Sequence, residues 1–136
     1  MIVSTKGRYA LRVLTDLAEH EKKDSDKRIP LKEIAERQNI SQKYIEAIMT
    51  LLSKNGIVDA VHGKGGGYKL NKKPSEYKVG DILRITERTL APVACLEKGS
   101  PSCPIKKNCR TINMWTKLDD LVENYLDSVT IEDLMK

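Results

Sequence analysis

Three cysteines carry the sharpest chemical signal in this 136-residue sequence, in the arrangement Cys95-x7-Cys103-x5-Cys109. Three thiolates on one stretch punctuated by Pro92, Pro101 and Pro104 have the type and number of donors that hold three irons of an iron–sulfur cluster. Lys98, Lys106, Lys107 and Arg110 stand beside them. Positive charge lowers a thiol's pKa and offsets the negative charge of a cluster. The spacing by itself leaves zinc, a redox-active thiol and inert cysteines open. Zinc is disfavoured because there is no C-x-x-C pair and because His20 and His62 are distant along the chain. The odd cysteine count argues against a disulfide framework, and MIVSTKGRYALRV lacks the features of a secretion signal, so the expected location is the cytoplasm.

A second set of residues suits contact with a polyanion. Residues 1–80 hold sixteen Lys and Arg against ten Asp and Glu, whereas residues 81–136 hold eight against nine. Charge alone fits a solvated basic surface equally well, so the pattern of residues must decide. Ser41 is a good N-cap, and Ile45, Ile48, Met49 and Leu52 follow at the spacing of a buried helical stripe. That stripe turns Gln42, Lys43 and Glu46 outward, with Ser41 and Tyr44 at the same helix start. Gln can pair with adenine, Lys with guanine or phosphate, and Glu can accept from cytosine. Ser41 and the free amides of the helix start suit a phosphate. Further on, His62-Gly63-Lys64-Gly65-Gly66-Gly67 joins two short extended runs, Ile57 to Val61 and Tyr68 to Leu70. Such a tip lets backbone approach phosphates or the minor groove, with His62, Lys64 and Gly65 in reach. Lys6, Arg8 and Arg12 on a first helix are placed to hold flanking phosphates.

These parts need elements to carry them. Ser4-Thr5 caps a first helix over about 5–21, with Ala10, Leu14, Leu17 and Ala18 on one face. The polar stretch 20–28 reads as a loop. Pro30 opens a short helix, about 31–37, with Leu31, Ile34 and Ala35 inward. Gly56 ends the helix that Ser41 begins. Val79 to Arg88 reads as a helix with Val79, Ile82 and Leu83 inward; residues 89–108 read as irregular. A long helix runs over about 109–127, where Trp115, Leu118, Val122, Tyr125 and Val129 form the seam of a helix pair. Thr130-x-x-Asp133 is a capping box for a last short helix. The fold class is mainly α with a small β-hairpin wing: a winged helix-turn-helix over 1–80, and a cysteine loop with a long dimerisation helix over 81–136. In such a module the start of the second helix of the turn enters the major groove.

The sequence resembles the Rrf2 family of bacterial transcription regulators. The matching residues are Ser4-Thr5-Lys6-Gly7-Arg8-Tyr9-Ala10, Ile40-Ser41-x-x-Tyr44-Ile45-Glu46, Gly63-x-Gly65-Gly66-Gly67-Tyr68, and the three-cysteine loop before a long helix. The resemblance covers nearly the whole chain. It implies a homodimer with crossing C-terminal helices. It also implies that Tyr44, Glu46 and the wing lie at the surface of double-stranded DNA, and that Cys95, Cys103 and Cys109 hold an iron–sulfur cluster, [2Fe–2S] or [4Fe–4S]. Many members have Arg where this chain has His62. The family pattern also places a His three residues after the third cysteine, where this chain has Ile112. Other relatives take a carboxylate from the partner's first helix, where this chain has Arg8 and Tyr9 and the nearest acid is Asp16. Glu97 or an exogenous small ligand is left for the fourth position.

The expected function is a transcription regulator, a repressor of a pseudo-palindromic operator, whose cluster senses nitric oxide, oxygen or iron–sulfur supply. A cluster-free regulator that answers to thiol oxidation, a metabolite or a partner protein is one alternative. An accessory protein that uses the winged fold without DNA is another. No Ser/His/Asp set, carboxylate pair or nucleotide loop supports an enzyme, because GKGGGY leads into a strand and lacks the phosphate-loop pattern. No run approaches the roughly 20 apolar residues of a membrane span.

Overall fold

The computed structural model describes residues 2–21 and 27–136. Helix α1 (Thr5–His20) starts at Ser4, whose hydroxyl accepts from the Gly7 amide at 3.0 Å. Its apolar face is fully buried through Ala10, Val13, Leu14 and Leu17. The loop expected over 20–28 falls mostly on residues 22–26, outside the described residues. Helix α2 (Leu31–Gln38) ends at Asn39, which adopts a left-handed φ of 53°. Asn tolerates that conformation, and it turns the chain sharply into Ile40 and Ser41. Helix α3 (Gln42–Lys54) follows, capped by Ser41, whose hydroxyl accepts from the Tyr44 amide at 3.2 Å. Ile45, Ile48, Met49 and Leu52 bury as their spacing predicts. This is the helix-turn-helix.

Strands β1 (Val58–Val61) and β2 (Gly67–Leu70) form an antiparallel hairpin in which Val58 faces Leu70 and Val61 faces Gly67. The wing has a third edge that sequence reading does not foresee. Ile29 exchanges two backbone hydrogen bonds with Tyr68, each 2.9 Å, just before Pro30 opens α2. This contact explains Gly67. Its φ is 149°, and a Cβ there would stand 2.4 Å from the Ile29 carbonyl oxygen. Only glycine lets the two backbones meet so closely.

Helix α4 (Val79–Thr86) buries Val79, Ile82 and Leu83. Short 3-10 turns at 94–96 and 106–108 interrupt the segment expected to be irregular. Helix α5 (Ile112–Ser128) begins after these turns, three residues later than the pattern predicts, because the chain is still tightly turned at 106–108. Helix α6 (Ile131–Leu134) has the predicted capping box: the Thr130 hydroxyl accepts from the Asp133 amide and the Asp133 carboxylate from the Thr130 amide. It returns to the N-terminal half. Ile131 is fully buried in the same core as α1 and α3, and its amide donates to Tyr77. Winged module and tail therefore share one main core.

Candidate DNA-binding surface and cysteine loop

The predicted recognition residues gather at the start of α3, where Ser41, Gln42, Lys43, Tyr44 and Glu46 are all exposed. Three contacts with neighbouring elements fix their surroundings. First, the Tyr44 ring meets that of Tyr9 on α1 edge-on, with centroids 5.5 Å apart and planes at 79°. This is the preferred aromatic geometry, with the positive edge of one ring against the negative face of the other. Second, the Arg12 guanidinium lies 5.1 Å from the Tyr9 ring centroid and donates to the Gln38 side-chain carbonyl at 3.1 Å and to the Gln38 backbone carbonyl. A cation at the C-terminal end of α2 satisfies carbonyls that the helix leaves open. Arg12 thus joins α1 to α2, a tie the sequence reading did not anticipate, and remains exposed. Third, α3 packs against β1 at the root of the wing; burial, followed by the nearby negative charge of Glu46, pushes the phenol of Tyr68 above its ordinary value. The recognition helix and the wing root therefore lie side by side.

Lys6 and Arg8 are exposed on the first turns of α1, with the Arg8 guanidinium donating to the Thr5 hydroxyl at 3.1 Å. His62, Gly63, Lys64 and Gly65 are exposed at the wing tip, with positive φ at Gly63 and Gly65.

Helices α1 and α2 are locked by Asp16, which is only 3% exposed. Its carboxylate accepts two bonds from the Arg37 Nε and one from the terminal nitrogen Nη2, at 2.8–3.2 Å, and one from the Gln38 amide at 2.8 Å. The charge of Asp16 is committed inside the fold.

The start of α1 is also held from the far side. The Ser4 amide and hydroxyl both donate to the Glu87 carboxylate, at 2.6 and 2.7 Å, and the Thr86 hydroxyl donates to it at 2.8 Å. Burial opposes the charge on Glu87. The Ser4 and Thr86 donors outweigh it and hold the carboxyl below its usual range. Gly7 leaves room for this seat, because a Cβ there would stand 2.6 Å from Glu87 Oε2 and displace it. The Ser-x-x-Gly spacing of the opening segment is thus a seat for the end of α4. The cap at Ser4 is legible in the sequence, whereas Glu87 is not, because its partner lies 83 residues away.

Residue 88 starts the segment that bears the cysteines. The Arg88 guanidinium forms a fork to the Glu97 carboxylate at 3.0 and 3.2 Å. All three cysteines are free thiols; Cys95 is exposed, Cys103 and Cys109 half-buried. Cys109 Sγ lies 3.6 Å from the Thr111 hydroxyl, and hydrogen bonding to Thr111 lowers its thiol pKa. Three unpaired thiols on one loop are the donor chemistry an iron–sulfur cluster takes. Among the described residues no three His, Cys, Asp or Glu side chains are gathered at metal-binding distance. The two acids considered for a fourth position are both committed, Asp16 to Arg37 and Glu97 to Arg88.

Along α5 the seam residues divide. Leu118 and Tyr125 are exposed at 38% and 67%, Trp115 and Val122 are half-buried, and Val129 packs on Val79, Leu83 and Leu90 of its own chain. The exposed apolar stripe is Met114, Leu118, Leu121 and Tyr125, spaced four, three and four.

A helix-turn-helix with an exposed polar recognition helix and a paired glycine wing defines a winged-helix DNA-binding transcription regulator. The chain belongs to the Rrf2 family, described as an iron-dependent transcriptional regulator, which it matches over residues 3–136. It is similar to the HTH-type transcriptional regulator IscR of Pectobacterium atrosepticum, with 35% identity over 135 residues, covering 99% of this chain and 79% of that one. Among solved structures it resembles CymR, the global cysteine regulator of B. subtilis, at 36% identity and a TM-score of 0.76, covering 98% of this chain and 95% of that one. It also resembles T. potens IscR at 36% identity and a TM-score of 0.72, covering 98% and 85%. No helix among the described residues is long and apolar enough to cross a membrane.

Proposed function

We propose that this chain is a homodimeric cytoplasmic repressor that binds a pseudo-palindromic operator, with DNA binding controlled by an iron–sulfur cluster. The observation that carries the reading is the path from the cysteine segment to the DNA surface. Arg88 and Glu97 brace the segment, Glu87 next to them holds Ser4, and Ser4 caps the helix that presents Lys6 and Arg8. Tyr9 on that helix touches Tyr44 on α3.

In this reading Gln42, Lys43, Tyr44 and Glu46 meet base edges. Ser41, Lys6 and Arg8 meet phosphates, and His62, Lys64 and Gly65 follow the backbone from the wing. The exposed stripe on α5 pairs two chains and so sets the spacing of two half-sites. Cys95, Cys103 and Cys109 would hold the cluster, which supplies iron–thiolate bonds that nitric oxide, oxygen or iron loss can break. The family's description as iron-dependent and the free thiols support this. Ile112 has no donor, so the fourth position falls to a group outside the three cysteines.

The test is purification without oxygen. The protein should be brown, with iron and sulfide in counted proportion, and a Cys103→Ser variant should lose both. Operator affinity should change when the colour is bleached by nitric oxide. A colourless, iron-free protein with full, signal-independent operator affinity would remove the cluster. Duplex affinity that does not fall with salt would remove the DNA surface, because each phosphate contact adds to the salt slope.

A further inference from the structure

A cleft of about 470 Å³ lies between the end of α4, residues 88–98 and α5. That is within the roughly 300–1,000 Å³ of small-molecule sites. Leu90, Ala91 and Leu96 give it an apolar floor, and its rim carries charge of both signs. Most of that charge is spoken for. Arg84 is held by Asp127 at 2.9 and 3.0 Å and by Glu123, Arg88 by Glu97, and Glu87 by Ser4. Two groups on the rim remain. Among the described residues, the side chains of Lys98 and Asp119 have neither a hydrogen bond nor an ion pair. Asp119 has two like charges beside it: burial first, then Glu123 and Asp120, push its carboxyl above the ordinary range. A carboxylate so placed gains from an incoming ammonium. Lys98 is a free ammonium that gains from an incoming carboxylate.

We propose that this cleft is an effector site for a small zwitterion of the α-amino-acid class, with the ligand's ammonium on Asp119 and its carboxylate on Lys98. A single free charge of each sign on one rim matches a molecule that carries both, and matches a simple amine or a simple carboxylate only by half. The cleft is also placed to be read. Glu87 forms part of its wall and is the residue that seats Ser4 and the start of α1. Occupancy that shifts Glu87 shifts Lys6, Arg8 and, through Tyr9, Tyr44. The readout at DNA rests on the proposed DNA surface; the binding of the zwitterion does not. Linkage requires reciprocity, so a ligand that changes operator affinity by some factor has its own affinity changed by operator DNA by the same factor.

The experiment is calorimetric titration of the full chain with each of the twenty L-α-amino acids, with putrescine and succinate as single-sign probes. At least one amino acid should bind. Asp119→Asn at a half-buried position and Lys98→Gln at an exposed one, both away from α3 and the wing, should each weaken that binding roughly tenfold without lowering the unfolding temperature. Glu87→Gln, which removes the seat of Ser4, should lose the ligand's effect on operator affinity, which in the unaltered chain should be roughly fivefold or more. No binding by any amino acid overturns the site. So does binding that neither rim variant weakens. Equal binding of putrescine or succinate overturns the zwitterion. Binding of an amino acid with no effect on operator affinity keeps the site and overturns its readout. If the chain binds no duplex DNA at all, the titration still decides the site.

Discussion

Tyr9 and Tyr44 meet edge-on at 5.5 Å, and this contact ties the first helix to the exposed start of the recognition helix. The two rings come from different elements, and Arg12 stands over the first of them. A pair in this geometry contributes about 0.5–1.5 kcal/mol beyond its burial. Tyr44→Ala should therefore lower stability by about 1 kcal/mol and weaken operator binding roughly tenfold or more. Tyr44→Phe keeps the edge contact and should keep the stability. Urea unfolding and a duplex-binding titration separate the two effects, and a Tyr44→Ala protein with unchanged operator affinity would place Tyr44 off the DNA.

Gly66 and Gly67 should both resist replacement, because a Cβ on either would meet a backbone carbonyl oxygen at 2.3 or 2.4 Å. In Gly67→Ala the new methyl meets the Ile29 carbonyl at 2.4 Å, in a backbone conformation with φ of 149°. Strain of this kind costs on the order of 1–3 kcal/mol. The loss should appear as a lower unfolding midpoint. Gly65→Ala, with open space around the added carbon, should lose less.

The Glu87 seat makes stability depend on pH in a defined window. Its carboxyl titrates below the ordinary 4.5 in the folded chain, because donation from Ser4 and Thr86 outweighs burial. A group with a depressed folded value contributes stability that is fully present above its unfolded value and is lost as pH falls through the folded value. Glu87→Gln should therefore flatten the stability profile below about pH 4.5 and lower the plateau above it. Denaturant melts across that range check it. A variant whose profile runs parallel to that of the unaltered chain would show that Glu87 is not the seat.

The stripe on α5 should pair two chains. Leu118→Lys together with Leu121→Glu places charge in it without touching Leu126 or Val129, which hold α5 on α4. Sedimentation should then report the mass of a single chain with an unchanged helix signal, and operator affinity should fall because one protomer reads only one half-site. A dimer that survives both substitutions would move the interface elsewhere.

Lys6 and Lys64 test the phosphate contacts from two different elements. Each changed to Ala should weaken binding about equally on every duplex sequence and lower the salt slope by about 1. A loss confined to one sequence would mark a base contact instead.

Much of the architecture was legible because it is local. The stripe Ile45, Ile48, Met49 and Leu52, the caps at Ser4 and Ser41, and the Thr130–Asp133 box each follow from residues within one or two turns, and each is present in the structure. The exposed positions of α3 followed from its buried ones by helical geometry alone. The seam of α5 was harder to read. Val129 and Leu118 have the same apolar character, and only the position of α4 decides that Val129 is covered and Leu118 left open.

The sequence by itself determined the helix-turn-helix, the glycine wing, the three-thiol loop and the family. Short-range spacing and capping encode those features, and no distant residue is needed to state them. The tertiary structure alone decided the rest. Glu87 finds Ser4 across 83 residues, Ile29 closes on Tyr68, Asp16 is taken by Arg37, and Lys98 and Asp119 stay unpaired on one cleft. A charge or an amide has no preferred partner along the chain. Packing chooses which opposite group stands within 3 Å, and that choice separates a charge spent on the fold from one left for a ligand.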